Sequence, residues 1–177
     1  MEKVNKALKF AVMAHDGVTR KGLALPYVVH PIAVMKRIVG YGIEYEPLLA
    51  AALLYDVVED TQFKQDTIVA EFGDEIASIV DEVTRKDDAT QSDKDEYLRS
   101  FASKSIEAVI LKIADRLENV SDYFVDGKRA YAHKYYWRAE PVFDLLKLRK
   151  NDFQPYGWEP YEAIFADVRG MAERVDR

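Results

Sequence analysis

The feature that most constrains the fold is an apolar stripe with helical spacing in the segment SIEAVILKIADRLENVSDYF, residues 105–124. Apolar residues recur there at every third or fourth position, which places them on one face of an α-helix. The stripe consists of Ile106, Val109, Ile110, Ile113, Leu117 and Val120. Because no segment shows sustained alternation of polar and apolar residues, the sequence predicts an all-α fold.

The same periodicity predicts further helices along the chain. Pro31 suits the first turn of a helix, and Gly73 separates two short ones. The segments ALPYVVHP and DDATQSDKD are predicted to be loops. Besides 105–124, the expected helices cover about 4–12, 31–39, 47–58, 65–72, 74–86, 130–150 and 158–174. We therefore expect one globular domain over residues 1–177, an array of about eight helices and not an up-down bundle.

Composition narrows the classes of function. A chain of 177 residues that is 49% hydrophobic can bury a core of its own. The absence of cysteine excludes disulfides and thiolate chemistry and favours a reducing compartment. A net charge of -6 argues against a nucleic-acid partner, since such binders carry a basic face. No apolar run is long enough to span a membrane, so we expect a soluble, cytoplasmic protein.

Three carboxylates crowd one turn in the stretch LLYDVVEDT. On a helix, Asp56, Glu59 and Asp60 stand at positions i, i+3 and i+4, so they share a face and repel one another. They also lie near the C-terminal end, where the helix dipole disfavours anions. Two interpretations stay open at this point: a solvated helix end, or a metal site at the edge of the core.

Polar residues also interrupt the apolar helix of residues 105–124. Asp115 and Asn119 stand at i and i+4 and form a polar column beside the stripe. His30, one of three histidines, precedes the helix-starting proline. A neutral imidazole and two carboxylates brought together would suit Mn²⁺ or a similar divalent ion. The alternatives are a wet helix face and a histidine in an ordinary polar niche.

These segments, in this order, resemble the hydrolase domain of the RelA/SpoT alarmone enzymes and the stand-alone small alarmone hydrolases, which are HD-type metal phosphohydrolases. The resemblance rests on AHDGVTRKGLALPYVVHPIAV, AALLYDVVEDT, FGDEIASIVDEVT and LKIADRLENV. It covers roughly residues 4–136, with further helices to about 174. Any one of the four motifs would be weak, but the ordered set is specific.

The resemblance implies an all-α enzyme that uses Mn²⁺ to remove the 3′-diphosphate from ppGpp-like nucleotides, so the expected partner is a small phosphorylated nucleotide. It also implies roles for particular residues. Metal ligands would be His30, the residue at position 55, Asp56 and Asp115; the residues acting on the attacking water would be Glu59 and Asp60; the substrate-binding residues would be Arg20, Lys21, Asn119 and Tyr135.

The chain departs from the family pattern at position 55. Tyr55 stands where the paired HD motif has histidine, and a neutral phenol with a reference pKa of about 10 is a poor metal ligand. Three explanations follow: an engineered variant that traps substrate, a natural member with a modified site, or a descendant that binds the nucleotide without cutting it. The second hypothesis for function is accordingly a non-catalytic nucleotide binder or sensor.

Overall fold

A computed structural model describes residues 1–20, 24–85 and 90–177 of the chain. The all-α prediction is confirmed: those residues form eleven α-helices, and their β-type pairing amounts to one isolated bridge between Thr19 and Pro26. The helices are α1 (Glu2–Ala14), α2 (Val29–Gly40), α3 (Glu46–Asp60), α4 (Gln65–Phe72), α5 (Asp74–Val83), α6 (Gln91–Ser100), α7 (Ile106–Val125), α8 (Arg129–Arg138), α9 (Glu140–Phe143), α10 (Leu145–Leu148) and α11 (Trp158–Val175).

The expected single helix over residues 130–150 is wrong, because the chain forms α8, α9 and α10 there, followed by a 3-10 helix at Lys150–Tyr156. Pro141 lies in the first turn of α9, where a proline is tolerated, but it could not continue α8. The polar segment DDATQSDKD is also partly helical. Thr90 caps α6 by accepting a hydrogen bond from the backbone of Asp93, whose side chain binds back to Thr90.

Helix α3 lies at the centre of the core. All of its residues from Pro47 to Val57 are buried, which is the pattern of a helix that is surrounded on every side. Helices α1, α2 and α5 pack around it. None of the described helices combines the length and the apolar character that a bilayer crossing requires.

Helix α2 brings the N-terminal half of the chain against α7, because it packs on both α3 and α7. Arg37 of α2 fixes this arrangement: its Nε lies 2.7 Å from Glu118 Oε1 on α7, and its Nη1 lies 2.5 Å from Asp167 Oδ2 on α11. The hydroxyl of Tyr41 donates to the same Asp167 oxygen at 2.7 Å. The start of α2, the second half of α3 and the middle of α7 therefore converge.

A cavity in α3 should be costly. Leu53 is fully buried, so Leu53→Ala should lower the free energy of unfolding by about 2–5 kcal/mol through lost burial and an unfilled cavity. Urea unfolding followed by circular dichroism measures the loss. The control is Leu148→Ala on α10, where a side chain that is 78% exposed should cost about 0.5 kcal/mol or less. Equal losses in both variants would contradict a core centred on α3.

Candidate active site

Three side chains from three helices meet at one buried point. His30 Nε2 on α2 lies 3.2 Å from Asp115 Oδ1 on α7, and the hydroxyl of Tyr55 on α3 lies 3.0 Å from that nitrogen and 3.2 Å from that oxygen. Residues from distant parts of the chain therefore form one hydrogen-bonded cluster. His30 lies in the first turn of α2, where the backbone N–H groups of Val29 and His30 donate to the carbonyls of Pro26 and Tyr27 and turn the loop into the helix just before Pro31.

Asp115 carries the negative charge of this cluster. Burial by itself would raise the pKa of Asp115, but the Lys112 ammonium, 2.9 Å from Oδ2, and the neighbouring His30 hold it well below its usual value. Asn119 donates a third interaction to Oδ1 at 2.7 Å. Lys112 is itself buried, so each charge offsets the cost of burying the other.

Asp56 lies beside the cluster, and its pKa is shifted in the opposite direction from that of Asp115. Burial raises the pKa of Asp56 to about 7; His30 opposes the shift, whereas the carboxylates of Asp115, Glu59 and Asp60 add to it. Its Oδ2 accepts a hydrogen bond from the Tyr27 hydroxyl at 3.0 Å. Two buried carboxyl groups with pKa values on opposite sides of the usual range can play different roles in proton transfer.

The other two acids of the LLYDVVEDT stretch separate from each other. Glu59 is half-buried and accepts a hydrogen bond from the Arg85 backbone N–H at 2.6 Å, and burial raises its pKa although Lys112 and Arg85 oppose the shift. Asp60 is exposed and faces the cleft described next. Helix α3 remains intact through Asp60, and the Thr61 hydroxyl donates to the carbonyl of Val57. The interpretation as a solvated helix end therefore holds for Asp60 alone.

A cleft of about 600 Å³ opens beside the cluster. Two of its residues also touch the cluster, because Tyr27 binds Asp56 and Asn119 binds Asp115. Arg20 lies in the cleft with its Nη2 2.7 Å from Asn119 Oδ1 and its Nε 2.7 Å from Asp122 Oδ2. The residues that line the cleft are Val18, Thr19, Arg20, Tyr27, Asp60, Asn119, Asp122, Tyr123, Asp126, Lys128 and Tyr131.

Of the predicted substrate-binding residues, Arg20 and Asn119 line the cleft, whereas Tyr135 does not. Lys21 lies outside the described residues. Tyr135 packs behind the wall, with its ring 5.3 Å from that of Tyr123 and with the Arg116 guanidinium 4.5 Å from its centre. Tyr131, one turn earlier on α8, lines the cleft and is about half exposed. The role of Tyr135 in substrate binding stays a prediction.

Sequence reasoning missed Tyr27, Lys112 and the pair Tyr123 and Tyr131 as members of the site. Lys112 carried a signal, because a lysine three residues before an aspartate in an apolar helix lies on the same face. For Tyr27 the sequence contained only a weak signal, namely its position three residues before His30. For Tyr131 the sequence could not say which of the closely spaced tyrosines of α8 faces outward.

Two of the buried donors, the imidazole of His30 and the carboxylate of Asp115, have the chemistry and spacing that suit a divalent ion. An octahedral ion with bonds of about 2.1 Å holds neighbouring ligand atoms about 3.0 Å apart, which is close to the 3.2 Å between His30 Nε2 and Asp115 Oδ1. Imidazole and carboxylate are ligands that suit Mn²⁺. Within the described residues, however, no three side chains of the His, Cys, Asp or Glu type are close enough to hold an ion by themselves. The third donor in contact is the phenol of Tyr55.

Comparison with known sequences shows where the chain has relatives. A family model described as HD domain matches residues 7–150. A guanosine-3′,5′-bis(diphosphate) 3′-pyrophosphohydrolase of Aquifex aeolicus is 31% identical over 128 residues, covering 70% of this chain and 18% of the relative. The protein of the same name from Vibrio cholerae is 32% identical over 171 residues, covering 90% of this chain and 24% of the relative. The chain thus spans less than a quarter of each of these two relatives.

A solved structure resembles the chain over nearly its whole length. It is described as a metazoan ortholog of SpoT that hydrolyses ppGpp, and it superposes with a TM-score of 0.79 at 25% identity. The match covers 98% of this chain and 96% of that one. The assignment of all residues 1–177 to one domain stays a prediction.

The raised pKa of Asp56 should make stability depend on pH. The folded carboxyl holds its proton up to about pH 7, whereas the ordinary value is 3.8. The folded state therefore binds more protons in that window, so stability falls as pH rises through it and stays lower above it. Asp56→Asn removes this pH-dependent loss of stability, and the asparagine side chain can still accept the hydrogen bond from the Tyr27 hydroxyl. Its stability relative to the unmodified chain should rise by up to about 4 kcal/mol between pH 4 and pH 8.

Urea unfolding at several pH values, with a chelator present, measures this difference. The control is Asp81→Asn, which changes an exposed aspartate on α5 and should show no comparable trend. A difference between Asp56→Asn and the unmodified chain that is the same at pH 4 and pH 8 would contradict the assignment.

Proposed function

The chain belongs to the HD domain family, and from this premise we propose that it removes the 3′-diphosphate from a ppGpp-like nucleotide bound in the cleft. The observation that carries the proposal is the convergence of His30, Tyr55 and Asp115 at one buried point next to the cleft that holds Arg20. Relatives that carry the name of this activity, and a structural neighbour described as hydrolysing ppGpp, support it. The lack of cysteine supports a cytoplasmic location within the same proposal.

The proposed reaction consumes one water. The water oxygen bonds to the phosphorus that is joined to O3′, the P–O3′ bond breaks, and diphosphate leaves. One proton of the water ends on the ribose, which regains its 3′ hydroxyl. Water is a weak nucleophile, so the site must both position it and remove a proton from it.

The acids at the end of α3 suit this task. Asp60 faces the cleft and would orient the water. Glu59 is tied to the Arg85 N–H through Oε1, and its raised pKa suits a group that accepts a proton near neutral pH. A divalent ion, Mn²⁺ in this proposal, would be held by His30 and Asp115, and by Asp56 only after the three side chains move closer together than they stand in this structure. When bound, it would lower the pKa of water and polarise the phosphoryl oxygen.

Arg20 is the residue placed to bind the phosphates. Asp122 and Asn119 accept hydrogen bonds from its Nε and Nη2 and hold the guanidinium at the cleft, so the positive charge is positioned before the substrate arrives. Lys128 lines the same cleft and adds a second positive charge. These cations are needed because Asp60, Asp122 and Asp126 make the cleft wall acidic.

The test is the release of diphosphate from ppGpp in the presence of Mn²⁺, separated by ion-exchange chromatography. Arg20→Ala should lower kcat/KM by about 100-fold, since it removes a charge that stabilises the transferring group. The control is Arg99→Ala, an exposed arginine on α6 outside the cleft lining, which should leave kcat/KM unchanged. If neither the unmodified chain nor Tyr55→His released diphosphate, the proposed hydrolysis would be wrong.

A second candidate is a nucleotide binder that does not cleave, and Tyr55 is the observation that favours it. Burial, with Asp115 and Asp56 adding to it, raises the pKa of Tyr55 well above 10, so the residue at position 55 is a neutral phenol. Calorimetric titration with ppGpp in the presence of a chelator separates the two candidates. Binding without product under any metal condition supports the binder, and the absence of binding eliminates it.

A further inference from the structure

The hydroxyl of Tyr55 occupies the third corner of a nearly equilateral triangle. Its oxygen lies 3.0 Å from His30 Nε2 and 3.2 Å from Asp115 Oδ1, and those two atoms are 3.2 Å apart. The side chain of Tyr55 is 2% exposed, so bulk water does not compete for these contacts. The triangle has the size of one face of an octahedral metal site, but its third corner is a hydroxyl group.

The protons of this triangle can be assigned by counting donors. A neutral phenol has a single proton, and the hydroxyl donates it to Asp115 Oδ1, which is a carboxylate and can only accept. The contact between the Tyr55 oxygen and His30 Nε2 then requires the nitrogen to donate. The result is one continuous chain of hydrogen bonds, from Nε2–H through the Tyr55 hydroxyl to Oδ1.

This assignment fixes the tautomer of His30. With the proton on Nε2, the nitrogen has no free lone pair for a metal ion. The other ring nitrogen, Nδ1, is buried and has no hydrogen-bond partner. Binding of an ion at Nε2 would require the proton to move to Nδ1, whose nearest acidic oxygen is Asp122 Oδ2 at 3.9 Å.

We propose that the Tyr55 hydroxyl takes the place of a divalent cation as the bridge between His30 and Asp115. The bridge keeps the cluster assembled in the metal-free protein, and it lowers the affinity for Mn²⁺ because it must open before Nε2 can bind an ion. The choice of Mn²⁺ rests on the proposed function; the bridge itself rests on the geometry alone.

The surroundings of the cluster agree with a closed, metal-independent arrangement. Asp115 is already bound on its other side by Lys112 and Asn119. The Tyr27 hydroxyl holds Asp56. None of the three bridged residues is among those that line the cleft, so the bridge lies behind the cleft wall.

The experiment compares the unmodified chain with Tyr55→Phe and Tyr55→His, each stripped with a chelator and titrated calorimetrically with Mn²⁺ alone. Tyr55→His supplies an imidazole in place of the bridge and should lower the Kd for Mn²⁺ by about tenfold or more, the scale of effect seen for changes around metal sites. Tyr55→Phe removes only the hydroxyl oxygen, so it should free Nε2 and also bind Mn²⁺ several-fold more tightly than the unmodified chain.

Thermal unfolding gives a second readout on the same proteins. Without metal, Tyr55→Phe should melt below the unmodified chain, because it loses both hydrogen bonds of the bridge. Mn²⁺ at about a hundred times the Kd of Tyr55→His should raise the Tm of that variant by roughly 5–10 °C, and the same Mn²⁺ concentration should raise the Tm of the unmodified chain by about half as much or less. The matched control is Tyr41→Phe, which deletes another buried phenol–carboxylate hydrogen bond, to Asp167, and should leave the response to Mn²⁺ unchanged.

Two outcomes would overturn the proposal. If Tyr55→Phe bound Mn²⁺ more weakly than the unmodified chain, the phenol would be a metal ligand. If both bound Mn²⁺ equally well, the phenol would have no effect on metal binding. Nitrogen NMR of His30 is an independent check, since an Nε2 atom without a proton in the metal-free protein would also contradict the bridge. No nucleotide is used, so the bridge can stand even if every variant fails to cleave ppGpp, and that result would count against the proposed function alone.

Discussion

The ionised carboxylate of Asp115, buried in the most apolar helix, determines how the site is built. A buried charge is tolerated only when it is paired and hydrogen-bonded, and Asp115 meets this condition with Lys112 and Asn119 on its own helix and with His30 and Tyr55 from two others. Because the partners come from different helices, the same interactions that neutralise the charge also hold α2, α3 and α7 in register. Loss of the carboxylate would therefore affect both the site and the packing.

The acids of α3 show how position relative to the core gives similar side chains different properties. Asp56 is enclosed and its pKa is raised to about 7, Glu59 is half-buried and bound by a backbone N–H, and Asp60 faces the cleft. Three carboxylates within five residues thus differ in burial and in access to a ligand. This division of properties is what the proposed hydrolysis requires, since positioning a water and accepting its proton are separate tasks.

Much of the fold could be read from the sequence, because helical periodicity is a local property. The stripe on α7 and the apolar run of α3 predicted buried helices correctly. The prediction of a single helix over residues 130–150 failed because the apolar and aromatic residues there suggested one continuous helix. The prediction did not take into account that Pro141 would interrupt it. Within the candidate site, Asp115 and Asn119 were predictable as neighbours at i and i+4, whereas the contact of Tyr27 with Asp56 was not.

The sequence by itself determined most of the helices, the family resemblance and the presence of tyrosine in place of histidine at position 55. It could not decide what that tyrosine does. Tyr55 is separated from His30 by 25 residues and from Asp115 by 60, so their contact depends on how three helices pack and not on any local pattern. Only the tertiary structure brought the hydroxyl within hydrogen-bonding distance of both groups, because side-chain positions across helices are set by packing of the whole core.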